Sequence, residues 1–108
     1  MSAQPLPPVV RRAIDAANAA DTQAFLDSFA TDGAVDDWGR LFYGPDAIRA
    51  WSDREFIGVR VSLTVTGARQ SGDTTTVSAQ VGGDGFNGPS GFAFTTAGDG
   101  ITLMRITG

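Results

Sequence analysis

The sequence predicts an α+β fold in which a curved antiparallel sheet is covered by three helices from the N-terminal half. Residues 9–51 carry apolar side chains at helical spacing, interrupted by one short extended segment. Residues 57–107 instead alternate apolar and polar side chains between turn-forming segments, which is typical of strands joined in hairpins. Strands with one apolar face need a cover, and the helices are the elements available to provide it.

Two helices are expected before the first strand. The first runs from about Val9 to Ala20 and places Val10 and Ile14 on its apolar face. Asp21 is positioned to cap the second helix, Thr22 to about Ala30, because its carboxylate can accept a hydrogen bond from a free backbone N–H.

Short strands and a third helix follow. Ala34–Trp38 and Leu41–Tyr43 are predicted to be strands joined by a turn. Pro45 suits the first position of a helix, and Trp51 falls on the apolar face of the helix that begins there.

The second half of the chain is predicted to consist of strands. The longest runs from Ile57 to Thr66, and Thr75–Val81, Phe92–Thr95 and Ile101–Thr107 complete the sheet. The glycine-rich segment Gly82–Gly91 is interpreted as a wide hairpin or bulge, because it opens no helix and lacks the Lys-Ser/Thr of a phosphate-binding loop. A twisted sheet wrapped around a helix leaves a conical cavity between them.

The chain is predicted to form a single domain over residues 1–108. At this length it can bury a core without help from a metal ion or disulfides. Met1–Pro8 contains three prolines and is expected to be a loose arm.

Composition and charge narrow the classes of function. The chain has no histidine and no cysteine, which excludes a disulfide scaffold, a thiol nucleophile and any Ser-His-Asp arrangement. A net charge of −4 argues against binding to nucleic acid or to anionic membranes. No apolar run approaches the roughly 20 residues that span a bilayer, and no signal peptide is recognised, so a cytoplasmic location is expected. No metal ion or cofactor is expected, because calcium-loop spacing and a dinucleotide fingerprint are both missing.

Asp37 is the candidate for a chemical role. It lies two residues after Val35, so both side chains point to the same face of the strand. If that face turns toward the cavity, Asp37 becomes a carboxylate in apolar surroundings, where desolvation can suit a general base. The alternative is that Asp36 and Asp37 both lie in solvent near a turn.

Aromatic residues are the candidates for ligand binding. They can line a pocket for a flat apolar molecule, although a place in the core is the simpler explanation for any single one. Tyr43 can also donate a hydrogen bond to a ligand oxygen. The residues are Trp38, Phe42, Tyr43, Trp51, Phe56, Phe86, Phe92 and Phe94.

The order of elements and several segments resemble the nuclear transport factor 2-like superfamily, in its SnoaL-like and ketosteroid isomerase-like branch. The matching segments are AIDAANAADTQAFLDSFATDGAVDDWGR, YGPDAIRAW and FAFTTAGDGITLMRI, and the resemblance extends from about Val9 to Ile106. It implies a cone-shaped, cystatin-like fold. It implies no single function, because the superfamily includes isomerases, dehydratases, cyclases, hydrolases and non-catalytic domains.

The resemblance also assigns positions. In steroid isomerases of this type the base is an aspartate on the short strand after helix 2, which corresponds to Asp37. Their oxyanion donors, a tyrosine on helix 1 and a protonated aspartate on the penultimate strand, correspond to Ala13 and about Gly91. Because the base is matched and both donors are missing, steroid isomerisation is not expected.

Two functions are left open. One is isomerisation, cyclisation or dehydration of a small apolar substrate with Asp37 as the only base. The other, slightly favoured by the missing donors, is a non-catalytic ligand-binding or dimerisation module. A homodimer through the sheet is expected, because the outer sheet face often pairs subunits in this superfamily and the polar strand face suits a partly wet interface. That face consists of Arg60, Ser62, Thr64 and Thr66.

Overall fold

The computed structural model describes residues 6–107, and its helices and strands follow the predicted order. Two helices, α1 (Pro8–Asn18) and α2 (Thr22–Asp27), come first. They are followed by two strands, β1 (Phe29–Asp37) and β2 (Arg40–Tyr43), and by a third helix, α3 (Gly44–Glu55). A turn of 3-10 helix (Ile57–Val59) precedes β3 (Ser62–Ser71), β4 (Thr74–Gly82), β5 (Gly88–Ala97) and β6 (Gly100–Thr107). Within residues 6–107, no helix has the length and apolar character needed to cross a membrane.

The six strands form one unclosed sheet in the order β2-β1-β6-β5-β4-β3. Neighbouring strands are antiparallel except for β1 and β6, which run parallel. Register shifts in the β1–β6, β3–β4 and β5–β6 pairs bend the sheet. The predicted α+β fold with a curved sheet is confirmed, with this one parallel pair as an exception.

One core fills the space between the helices and the concave face of the sheet. The apolar face predicted for α1 is buried there, including Val10 and Ile14. Trp51 of α3 is 1% exposed and stacks on Phe56, with ring centroids 4.9 Å apart. The sheet contributes Val35, Val77, Phe92, Phe94, Ile101 and Met104 to the same core.

The predicted boundary between α2 and β1 is wrong. The helix ends at Asp27 rather than near Ala30, and the strand begins at Phe29 rather than Ala34. The start of the helix is as predicted, since Asp21 Oδ1 accepts a hydrogen bond from the backbone N–H of Ala24 at 3.1 Å.

The predicted strand from Ile57 to Thr66 is wrong in its first half. Ile57–Val59 forms a 3-10 turn, Arg60 adopts a left-handed conformation with φ 56°, and β3 begins at Ser62. At Gly58 a Cβ atom would stand 1.7 Å from the carbonyl oxygen of Asp53, so the chain here folds back tightly against α3. Apolar residues at every second position therefore do not form a strand in this segment.

Two smaller corrections concern a loop and the N-terminus. The strand after the glycine-rich segment begins at Gly88, four residues before Phe92. Pro8, predicted to belong to the loose arm, is the first residue of α1, and Leu6 packs against the core. The rest of the predicted arm, residues 1–5, lies outside the described residues.

Candidate functional site

A cavity of about 380 Å³ opens between the concave face of the sheet, the C-terminal end of α3 and the β4–β5 loop. This volume lies in the range of small-molecule sites. Most of its wall is apolar, formed by Trp51, Phe56, Val59, Val61, Val81, Phe92 and Ile106. Four charged residues also line it, namely Asp37, Arg40, Arg54 and Glu55.

Asp37 lies on the cavity wall, at the end of β1. Its partner in the parallel register is Ile106, which lines the same cavity. Asp37 Oδ2 accepts hydrogen bonds from Trp51 Nε1 at 3.1 Å and from Arg40 Nη2 at 2.5 Å. The other oxygen, Oδ1, accepts no hydrogen bond from residues 6–107. The side chain is thus held in place through one oxygen, and the second has no hydrogen-bond donor within residues 6–107.

Arg40 joins Asp37 to Glu55. Its Nη1 donates to Glu55 Oε2 at 3.0 Å and its Nη2 donates to Oε1 at 2.7 Å, so both oxygens of Glu55 are bound. These hydrogen bonds lower the pKa of Glu55, and the hydrogen bond to Glu55 is the main cause that raises the pKa of Arg40. The three residues form an ion-paired network with one net negative charge.

A two-residue turn brings Asp37 and Arg40 together. The turn consists of Trp38 with φ 56° and Gly39 with φ 89°, and it places Asp37 opposite Arg40 in the β1–β2 register. Positive φ at both central positions is the pattern of a type I′ hairpin turn, in which asparagine, aspartate and glycine are preferred. A tryptophan at such a position is strained. The side chain of Trp38 is 69% exposed and lines the cavity mouth.

The predicted aromatic residues separate into two groups. Trp38, Trp51, Phe56, Phe86 and Phe92 all line the cavity, whereas Phe42, Tyr43 and Phe94 do not. Tyr43 is 67% exposed at the end of β2, and Phe94 is 1% exposed within the core. The ligand-binding roles of all of these residues remain predictions.

Some cavity residues were not predicted. The two-residue turn could have indicated Arg40, since it pairs the residues that flank it across a hairpin. Glu55 carries no such local signal, because it reaches Arg40 only when α3 packs beside β2. No local signal indicates Arg54 either, because it lines the cavity only through the packing of α3.

The positions assigned to oxyanion donors hold no acid or tyrosine. Ala13 is buried on α1 and does not line the cavity. On β5, Ser90 and Phe92 face the cavity and Gly91 between them does not. Ser90 Oγ donates to the carbonyl oxygen of Thr107 at 2.6 Å. No group of three or more acidic side chains within residues 6–107 is arranged to hold a metal ion.

Comparison with known proteins gives one family and many similar folds. A family model described as SnoaL-like domain matches residues 10–108. No curated protein matches the chain in sequence.

Three solved structures illustrate the similarity. A candidate polyketide cyclase from Sinorhizobium meliloti is 27% identical with a TM-score of 0.83, over 94% of this chain and 95% of that chain. A hypothetical protein with a ketosteroid isomerase-like fold from Catenulispora acidiphila, in complex with trimethylamine, is 26% identical with a TM-score of 0.82, over 96% and 87% of the two chains. A computationally designed 17-OHP binder is 19% identical with a TM-score of 0.78, over 93% and 87%, and shows the fold alone.

Proposed function

The chain belongs to the SnoaL-like domain family, and we propose that it binds a small, largely apolar molecule in the cavity beside Asp37. The observation that carries this proposal is the apolar cavity with two exposed aromatic side chains at its mouth. Trp38 and Phe86 are 69% and 59% exposed, and both line the opening. Large aromatic side chains exposed at a concave apolar site are typical of a surface that a ligand covers.

The similar structures support the same function at the level of the fold. The Catenulispora acidiphila protein holds trimethylamine, and the designed protein is a 17-OHP binder. Folds of this shape therefore accept small molecules of different size in those proteins. Neither compound is proposed as the ligand of this chain.

The geometry suggests how a ligand would be oriented. Its apolar body would lie against the wall formed by Trp51, Phe56 and Phe92, and the aromatic side chains at the mouth would cover it. Asp37 Oδ1 would accept a hydrogen bond from a donor on the ligand, because Oδ2 is already bound to Trp51 and Arg40.

Binding of a neutral fluorescent probe, N-phenyl-1-naphthylamine, tests the proposal. We expect saturable binding that Trp38→Ala and Phe86→Ala both weaken. Tyr43→Ala is the matched control, since Tyr43 is as exposed as Trp38 but does not line the cavity. No saturable binding, or equal effects of all three substitutions, would contradict the proposal.

A second candidate function is proton transfer with Asp37 as the general base. The observation that favours it is that Asp37 is fixed on a largely apolar wall and has one oxygen without a hydrogen-bond donor within residues 6–107. Arg40, 2.5 Å from Asp37, is a cation beside the position where negative charge would develop on a substrate. Deuterium uptake at the carbon next to the carbonyl of 1-tetralone tests this function. It should be faster than in buffer with the protein and fall to the buffer rate with Asp37→Asn.

We also propose that two copies pair through the outer face of the sheet. On β3 the outward side chains Ser62 and Thr64 are exposed and uncharged. Arg60, expected on the same face, precedes the strand and pairs instead with Asp84 at 2.8 Å. The part of this face formed by Ser62, Thr64 and Thr66 therefore carries no charge, which suits a partly hydrated interface, and Arg69 is the exposed charged residue later on β3.

A further inference from the structure

On the premise that the cavity binds a small molecule as proposed above, we infer that this ligand carries a carboxylate group, and that Arg54 pairs with it. The ligand class is thus an apolar, ring-containing acid. The inference follows from the pairing of the charged side chains that line the cavity.

Three of the four charged residues in the cavity wall are already paired. Arg40 is bound to Asp37 and Glu55, and the hydrogen bonds between them are 2.5–3.0 Å long. The fourth, Arg54, makes no hydrogen bond or ion pair with any residue between 6 and 107. It is the cavity cation whose donors are left for a ligand.

Glu55 forms no hydrogen bond or ion pair with Arg54, although it is the next residue and the charge of Arg54 helps to lower the pKa of Glu55. Both oxygens of Glu55 are engaged by the two terminal nitrogens of Arg40. Adjacent residues on a helix also point about 100° apart, so Arg54 and Glu55 project in different directions. The network of Asp37, Arg40 and Glu55 carries one negative charge, and Arg54, which forms no ion pair with it, adds one positive charge to the wall.

The position of Arg54 relative to Trp51 sets the kind of ligand. These residues are three apart on α3, so their side chains are neighbours on the helix surface. A ring packed on the apolar wall next to Trp51 would place an attached acid group near the Arg54 guanidinium. The planar fork of a guanidinium matches a carboxylate, with two parallel hydrogen bonds.

A purely structural role for Arg54 makes a different prediction. Arg54 lies in the last turn of α3, where a cation interacts favourably with the helix dipole. In that case Arg54→Gln would lower stability slightly and would leave the choice between an acid and its neutral analogue unchanged. Selectivity between two such ligands therefore separates the two roles.

The test uses three probes with the same ring system, 2-naphthoic acid, 2-naphthamide and 2-naphthylmethylamine, titrated by calorimetry. The acid should bind about fivefold more tightly than the amide, as for an ion pair that is partly exposed to solvent. Arg54→Gln should remove this preference, and Arg54→Lys should keep part of it. Arg12→Gln changes the net charge equally on the exposed face of α1 and should leave the preference intact. The indole N–H signals of Trp38 and Trp51 should shift with the acid, which places it in the cavity.

The outcomes distinguish this inference from the proposed function. If none of the three probes binds, the proposed function fails and this inference fails with it. If the probes bind and shift the indole signals but the amide or the amine binds as tightly as the acid, the cavity is a binding site without the proposed acid preference. If Arg54→Gln still prefers the acid, the pairing of Arg54 with the carboxylate is ruled out, although the preference of the cavity for an acid is not.

Discussion

The side chain of Asn18 bonds both backbone groups of Leu63, which is 45 residues away in the sequence. Asn18 Nδ2 donates to the carbonyl oxygen of Leu63 at 3.0 Å, and Asn18 Oδ1 accepts from its N–H at 2.7 Å. β3 is an edge strand of the sheet, so no strand is present on that side to satisfy these groups. The amide takes the place of a neighbouring strand and joins the end of α1 to the edge of the sheet.

Replacing Asn18 by alanine should lower the free energy of unfolding by about 1–2 kcal/mol, because two partly buried hydrogen bonds are lost. Asn18→Asp should cost at least as much, since a carboxylate cannot donate to the Leu63 carbonyl. Urea unfolding measures both variants. Asp15→Ala, an exposed change on the same helix, is the control and should have little effect. A cost for Asn18→Ala no larger than that of the control would show that the two bonds contribute nothing.

The sequence predicts the helices and strands of this fold better than it predicts the long-range contacts that complete the site. The face of Asp37 follows from its spacing to Val35, which is a local property of any strand. The hydrogen bonds between Asn18 and Leu63 and the ion pair between Arg40 and Glu55 join distant segments. No repeating pattern of residues in the sequence indicates such contacts. These contacts depend on how α1 and α3 pack on the sheet.

The parallel pairing of β1 with β6 was not predicted either, because it also joins segments that are distant in the sequence. Hairpins predict antiparallel neighbours. β1 and β6 are the first and last strands in the sequence, so no hairpin joins them. The 3-10 turn at Ile57 was missed for another reason. Ile57 and Val61 are buried there just as they would be in a strand, so the burial pattern is kept while the backbone differs.

Trp38→Asn is expected to stabilise the fold by about 0.5–1 kcal/mol, because asparagine adopts positive φ in a type I′ turn more readily than tryptophan. The same change should weaken probe binding, since the exposed ring at the cavity mouth is removed. Trp38→Ala is the matched variant, which loses the ring without gaining a residue suited to the turn. Thermal unfolding and probe titration of both variants check the prediction. A loss of stability in Trp38→Asn would mean that the ring supports the fold.

Trp51→Ala should destabilise the protein by about 3–5 kcal/mol, as expected for a large buried aromatic side chain. Trp51→Phe should cost less, because it keeps the stacking on Phe56 and removes mainly the hydrogen bond to Asp37. Trp38→Ala should cost clearly less than Trp51→Ala. Denaturant unfolding of the three variants gives the order, and equal large losses for the two alanine variants would place Trp38 in the core.

Glu55 should make stability depend on pH in the acid range. Hydrogen bonds from Arg40 lower the pKa of Glu55 in the folded state from its ordinary value of 4.5. A group whose pKa is lowered on folding stabilises the protein above its unfolded pKa, and this contribution is lost as the pH falls through the folded pKa. The effect should be small, because the side chain is 35% exposed and solvent screens the pair.

The comparison that isolates this effect is Glu55→Gln against the original protein, unfolded in urea at pH 7 and at a series of lower pH values. Glu55→Gln should be less stable at pH 7, and the gap between the two proteins should narrow below pH 4.5. Asp53→Asn is the control, since it removes a neighbouring exposed acid that has no ion pair within residues 6–107. A gap that stays constant down to pH 3 would show that the ion pair with Arg40 is not what Glu55 contributes.

The last prediction concerns assembly. Static light scattering at tens of micromolar should give twice the monomer mass of 11.2 kDa, because the outer sheet face carries exposed, uncharged side chains on β3 that suit a hydrated interface. Thr64→Arg should shift the mass toward the monomer, since like charges from two copies would meet if this face pairs with itself. Arg12→Glu, on the exposed face of α1, changes charge away from the sheet and should leave the mass unchanged. A mass of one chain for the original protein, or a dimer that Thr64→Arg does not weaken, would rule out pairing through this face.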